Sequence, residues 1–268
     1  MAALKAFIFD VDGTLAETER DGHRVAFNQA FAAAGLPWHW DAALYGDLLQ
    51  VAGGKERIQF FVEQYAPPTP PVQNWATLIA DLHQTKTGYY TALLRAGQVS
   101  LRPGVQRLIA EARGENLRLA IATTSHPQNA LALLETALAP DAPSWFEVIA
   151  AGDIVPQKKP APDIYQYVLD QMALAPEDCL AIEDTEHGLT AATQAGIATV
   201  ITVNDYTCGQ DFAPATLVLS HLGEPDQPCE VLQGESFQQA CFDVAIAQTL
   251  LNRAFTAPGF THEGRWAS

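Results

Sequence analysis

The sequence predicts an α/β protein: an open parallel-sheet, Rossmann-like core with an all-helical module inserted after the first strand. Three observations predict it. Short, nearly continuous apolar runs recur along the chain, as strands buried on both faces require. Helical patterns separate most of these runs, which is the rhythm of βαβ units. The interval from about 16 to 95 breaks that rhythm and reads as helix after helix.

The first strand is expected over 4–9, an apolar run that stops at Asp10. Helices are expected over 24–34, 40–51, 55–64 and 74–94, with Pro67-Pro68-Thr69-Pro70-Pro71 as the loop between the last two. Pro103-Gly104-Val105 opens the next helix, with Leu108, Ile109 and Ala112 on one face and Gly114 just past its end. Strands follow over 117–122, 146–150, 179–182, 198–203 and 216–219. Pro162 opens a helix through Tyr165, Val168, Leu169 and Met172, and 186–195 forms another, closed by Gly196. The segment 223–234 is turn-rich, and the C-terminal stretch from Gly223 reads as cover for a sheet edge. No element is assigned from Gly259 onward, where mobility is expected. The expected division is 1–15 and 96–268 for the α/β core and 16–95 for the helical insertion.

Composition narrows the function. The 268 residues are 48% hydrophobic and 17% charged, as in a packed globular chain. The net charge of −16 argues against a general surface for nucleic acid or anionic membrane. No run approaches the roughly 18 to 20 apolar residues of a membrane span, and the N-terminus is too short and too soon charged for a signal or transit segment. Cys179, Cys208, Cys229 and Cys241 are scattered without C-x-x-C spacing, which suits free thiols in a reducing compartment. A cytoplasmic, monomeric protein is expected, with the plastid stroma left open as a compartment.

Four strand ends carry polar groups, and in parallel sheets ligands bind outside the carboxyl ends. Asp10-Val11-Asp12-Gly13-Thr14-Leu15 follows the first strand. Two carboxylates two residues apart can address one reaction centre, Asp10 as nucleophile and Asp12 as general acid and base. Taken alone, D-x-D-G equally suits aspartates that cap a turn and a helix. Ala122-Thr123-Thr124-Ser125 offers hydroxyls and backbone N–H groups to phosphate oxygens, although Thr and Ser end many strands. Gln157-Lys158-Lys159-Pro160-Ala161-Pro162-Asp163 offers a cation for a phosphoryl group, and surface lysine pairs are ordinarily just solvated. Glu183-Asp184-Thr185-Glu186-His187-Gly188 offers oxygens suited to Mg²⁺, or simply acids at a helix N-terminus.

In this order the four elements resemble the haloacid-dehalogenase superfamily of phosphohydrolases, whose motifs match at Asp10/Asp12, Thr123, Lys159 and Glu183/Asp184. The resemblance covers most of the chain and makes the helical insertion the family's substrate-covering cap. It implies an aspartyl-phosphate on Asp10, with Asp12 protonating the leaving alcohol and then activating water. It also implies Mg²⁺ held by Asp10, the Asp12 carbonyl, Asp184 and Glu183, and phosphate held by Thr123, Thr124 and Lys159. A carboxylate approaching a phosphate dianion meets about 4 kcal/mol of repulsion per unit pair at about 4 Å and an effective dielectric of about 20. The metal, Lys159 and Thr123 would offset it.

Glu17-Thr18-Glu19, His23-Arg24-Val25-Ala26-Phe27-Asn28 and Gly53-Gly54-Lys55 are similar to the β-phosphoglucomutase-like branch, and within it most to its Rubisco-associated CbbY-type members. The spacing from Glu19 to His23 is one residue longer than the branch pattern. The resemblance implies substrate selection by Glu17, His23, Gly53, Gly54, Lys55 and Arg57, the last two taking a second phosphate. His23 equally suits a satisfied core or hinge histidine, and Lys55 and Arg57 a solvated helix start. The implied reaction is hydrolysis of a sugar bisphosphate, xylulose 1,5-bisphosphate, to xylulose 5-phosphate. A sugar phosphomutase on the same fold and a non-catalytic regulatory module are the alternatives.

Overall fold

The computed structural model describes residues 3–51 and 53–256. The expectation for the stretch from Gly259 lies outside the described residues. The chain forms two compact units, one holding the sequence up to Ala16 and from Leu101 onward, the other Glu17–Ser100.

The first unit is built on a sheet in the order β3-β2-β1-β4-β5-β6-β7. Its strands are β1 Ala6–Phe9, β2 Arg118–Thr123, β3 Val148–Ala151, β4 Cys179–Glu183, β5 Ala198–Thr202, β6 Leu217–Leu219 and β7 Val231–Gln233. The first six pair in parallel, whereas β7 pairs antiparallel with β6 through an irregular register. The sheet is thus not wholly parallel, and the segment expected to be turn-rich cover for a sheet edge contributes a short edge strand itself. Leu232 on β7 is exposed, so the segment carries too little buried apolar surface to read as a strand.

Strand residues alternate between two buried faces. On one face Ala6, Ile8, Ala120, Ala122 and Ala181 pack against Ile164, Tyr165, Val168 and Met172 of α7 (Asp163–Met172) and Ala191 and Ala192 of α8 (Glu186–Gln194). Small strand residues let these helices approach closely. Phe7, Phe9, Leu119, Ile121, Leu180 and Ile182 fill the opposite face and are likewise buried. Helices α5 (Val105–Gly114) and α9 (Val244–Thr256) pack against β2, β4 and each other. A short helix, α6 (Pro127–Leu133), packs on β3.

The second unit is all helical. A π-helical turn, Thr18–His23, runs into α1 (Arg24–Ala33), followed by α2 (Ala42–Leu48), α3 (Gly54–Tyr65) and α4 (Trp75–Arg95). Helix α1 lies along α4, and Phe27, Phe31, Trp38, Trp40 and Phe61 form an aromatic core with neighbouring ring centroids 4.7 to 6.0 Å apart. Helix α2 is shorter than the 40–51 expected. Asn28 holds both the N–H and the carbonyl of Trp40 (2.7 and 2.8 Å), so the helix starts only after Asp41, whose carboxylate caps Leu44 N–H. Among the described residues no helix is long and apolar enough to cross a membrane, and the four cysteines are free.

Candidate active site

Four charged residues of the first unit, Asp10, Lys159, Glu183 and Asp184, gather at the carboxyl ends of its central strands. Asp10 directly follows β1 and its N–H donates to Ile182 O on β4 (3.0 Å). Glu183 ends β4, Asp184 follows it, Thr123 ends β2, and Lys159 comes from the loop between β3 and α7. Asp10, Glu183 and Asp184 are buried, and each offers a carboxylate oxygen within 4.8 Å of the others.

Lys159 is the cation inside this cluster. Its Nζ donates to Asp10 Oδ1 (2.7 Å), Glu183 Oε1 (2.5 Å) and Ala122 O (2.8 Å). Lys158 instead pairs at the surface with Asp153 (2.8 Å). Tyr165 on α7 donates its hydroxyl to the same Glu183 Oε1 (2.6 Å). Gly188 in α8 is explained by this packing: a Cβ there would fall 2.0 Å from Glu183 Oε2.

Burial sets the electrostatics. It pushes the Asp10 pKa up to about 7, although Lys159 pulls the other way. Asp184 is raised well above the usual carboxylate range by burial and by its neighbours Asp10 and Glu183, against the pull of Arg102 and Asn204. For Lys159, burial opposes its charge, but Asp10 and Glu183 outweigh it and hold the ammonium more firmly than usual. The cluster therefore contains more negative charge than its resident cation neutralises.

Other predicted residues sit around this centre. Ser125 Oγ donates to Asp12 Oδ2 in a very short hydrogen bond. Thr123 Oγ1 accepts from Ser125 N–H (3.1 Å), while Thr124 is exposed. Gly13 has φ +82°, and a Cβ there would lie 2.1 Å from Asp184 Oδ2, so the turn needs glycine for both conformation and space. Thr14 Oγ1 and Asn204 Nδ2 donate to Asp184 at 3.3 and 2.8 Å.

Sequence reasoning gave no functional role to Tyr165, Asn204 or Arg102, and read Ser125 only as part of a phosphate-binding turn. Asn204 lies just beyond β5, where the strand-end rule applied to the fifth strand would have found it. Tyr165 is hidden because a tyrosine on an apolar helix face reads as core.

In the helical unit the predicted residues are not one cluster. Glu17 is half-buried. His23 is buried against Tyr90 (ring centroids 3.9 Å), and its Nδ1 lies 2.9 Å from Lys86 Nζ. Gly53 has φ +93°, and the ring of His83 packs so close to Gly54 that a Cβ would approach within 2.6 Å. Lys55 and Arg57 were expected to act together, but Lys55 is exposed and Arg57 is buried. Positions i and i+2 of a helix do not share a face. Arg57 Nη1 donates to Tyr45 Oη (2.8 Å), Nη2 to Val51 O (3.3 Å), and Tyr45 in turn donates to Glu19 in a very short hydrogen bond.

Comparison with known proteins agrees with this geometry. Residues 4–196 match the model of the haloacid dehalogenase-like hydrolases. The chain is 48% identical to the plasmid-borne protein CbbY of Cupriavidus necator over 225 residues, 84% of this chain and 88% of that protein. It is similar to crystal structures of CbbY from Rhodobacter sphaeroides, in complex with phosphate and, as a mutant, with xylulose-(1,5)bisphosphate. Each shows 44% identity and a TM-score of 0.72, covering 81% of this chain and 94% of the other. A putative beta-phosphoglucomutase from Thermotoga maritima shares the fold at 25% identity and a TM-score of 0.62, covering 79% of this chain and 89% of that one.

Proposed function

Since the chain belongs to the haloacid dehalogenase-like hydrolase family, we propose that it is a Mg²⁺-dependent sugar-bisphosphate phosphatase acting through an aspartyl-phosphate. The substrate we assign is xylulose 1,5-bisphosphate, and the products are xylulose 5-phosphate and inorganic phosphate. The observation that carries the reading is Lys159 Nζ, held between Asp10 and Glu183 inside a buried carboxylate cluster at the strand ends. The ligand of the 44%-identical CbbY relative supports the substrate.

The residues present fit Mg²⁺. Three converging carboxylates are a hard-oxygen donor set, and the raised pKa values of Asp10 and Asp184 mark negative charge that calls for a further cation. Asp10, Asp184 and the Asp12 carbonyl would hold it. Glu183 would complete the set. When bound, the ion supplies positive charge that keeps Asp10 ionised and neutralises phosphoryl oxygens.

The side chains then divide the work. Asp10 attacks phosphorus, and the bond to the leaving oxygen breaks as Asp12 delivers a proton to it. Asp12, now ionised, takes a proton from water, which cleaves the aspartyl-phosphate and restores Asp10. Ser125 aims the Asp12 carboxylate. Lys159 and the Thr123 hydroxyl bind phosphoryl oxygens as charge builds on them, with Thr124 contributing at the same turn. In the helical unit, Glu17, His23, Gly53, Gly54, Lys55 and Arg57 are the residues we assign to choosing the sugar and its second phosphate.

Phosphate release tests the reading, using xylulose 1,5-bisphosphate, ribulose 1,5-bisphosphate, fructose 1,6-bisphosphate, glucose 1-phosphate and phosphoglycolate, each with and without Mg²⁺. The expected result is Mg²⁺-dependent preference for the xylulose compound. Equal or better turnover of a monophosphate would overturn the substrate assignment. Conservation of organic phosphate during turnover would indicate a mutase instead.

A further inference from the structure

The residue after Leu101, where the chain re-enters the α/β unit, is an arginine that is only 6% exposed. A guanidinium stays charged when buried, so Arg102 must be satisfied by what surrounds it. Nη1 donates to Gly13 O (2.5 Å), Thr202 O (2.8 Å) and Thr202 Oγ1 (3.0 Å). Nη2 donates to Ser220 O (3.0 Å) and, in a very short hydrogen bond, to Val203 O. The Arg102 N–H donates to Leu15 O (2.9 Å). One residue thus grips the turn after Asp12 from its backbone and from its side chain, and ties it to the ends of β5 and β6.

The grip reaches the carboxylates through one shared acceptor. Gly13 O takes Arg102 Nη1 and, at 3.5 Å, Asn204 Nδ2, and that same amide holds Asp184 Oδ2 at 2.8 Å. Gly13 also lies so close to Asp184 that no side chain fits between them. The distance from the Asp10–Asp12 turn to Asp184 therefore depends on where Gly13 O is held.

We propose that Arg102 is a positioning residue of the phosphatase site: its planar fork fixes the Gly13–Thr14 peptide against β5 and β6 and so sets the spacing between that turn and Asp184. The proposal rests on the reading of the carboxylate cluster given above. Lysine in its place would keep the charge but, as a single ammonium, could not span Gly13, Thr202 and Ser220 together.

Arg102→Lys in the full chain tests it by three measurements. With the best-hydrolysed ester, kcat should fall about 10- to 100-fold with KM changed by less than about threefold. Without substrate, the Mg²⁺ concentration giving half-maximal thermal stabilisation should rise by about tenfold. In metal-free protein, amide hydrogen exchange over residues 10–16 should quicken while exchange over α7 stays unchanged. A lower melting temperature with kcat, the Mg²⁺ midpoint and exchange over 10–16 all unaltered would overturn the proposal. If Arg102→Lys does not fold, Thr202→Val removes only the hydroxyl acceptor and should lower kcat a few-fold in the same pattern; no change would again overturn it. Should the wild-type protein neither bind Mg²⁺ nor release phosphate from any ester, the functional reading fails, and the exchange measurement alone decides for or against Arg102.

Discussion

Each of the two units contains a carboxylate, a tyrosine and a cation joined by hydrogen bonds, yet the two assemblies are built for different loads. In the α/β unit Glu183 accepts from both Tyr165 and Lys159, and Lys159 continues to Asp10. In the helical unit Glu19 accepts from Tyr45, which accepts from Arg57. The side chains of Glu183 and Lys159 are 1% and 6% exposed, whereas that of Glu19 is 25% exposed. The first assembly adds two more buried acids, and their pKa values rise; the second leaves its acid partly in water. Charge concentrated without solvent is what a phosphoryl-transfer site needs, and it comes at a stability cost that the aromatic core of the helical unit does not bear.

The strongest way to break this comparison is to neutralise Asp10, the nucleophile we propose. Asp10→Asn should lower phosphate release by about ten-thousand-fold while far-UV circular dichroism stays native, because it removes the attacking oxygen and leaves the shape. Retained activity would remove the α/β cluster from the chemistry. Lys159→Met should destabilise the protein by about 3–5 kcal/mol in urea titrations, since it leaves buried carboxylates without their cation. A loss under about 1 kcal/mol would mean that the cluster is far better solvated than its burial indicates.

Tyr45→Phe is the matching cut in the helical unit. It breaks the relay between Glu19 and Arg57 and should cost about 1–2 kcal/mol by the same titration, with the chemical step little affected. An effect as large as that of Lys159→Met would show that the two assemblies bear equal loads.

The smallest expected effect is a pH dependence. Burial, then the charges of Lys86 and Lys55, hold the His83 pKa below its ordinary 6.5, and Glu56 only partly opposes them. The unfolded chain therefore takes up this proton more readily than the folded one. Stability linked to His83 is complete above pH 6.5 and is lost as pH falls through the lowered value. Urea midpoints at pH 7.5 and 5.5 should differ less in His83→Gln than in the wild type, and an unchanged difference would exclude the residue as a source.

Apart from Lys159, which a loop delivers, the motif residues that converge are those whose positions follow from a local rule. Asp10, Thr123, Glu183 and Asp184 lie at strand ends, and a parallel sheet brings strand ends to one edge whatever the details of packing. Local chemistry likewise fixed the starts of two helices: Asn74 and Thr185 cap α4 and α8, as their side chains favour. Helix α2 escaped because its start is decided by Asn28 gripping Trp40 from twelve residues away.

What the sequence determined by itself is the sheet-and-insertion plan and the polar groups that gather at the strand ends, because apolar period and strand-end polarity are written in neighbouring residues. The tertiary structure alone decided which groups support them. Tyr165 meets Glu183, Asn204 meets Asp184, and Arg102 meets Gly13 only after the sheet has closed its crossovers. Such partners obey no spacing rule, since a hydrogen bond between distant segments depends on where the fold delivers each atom and not on their order in the chain.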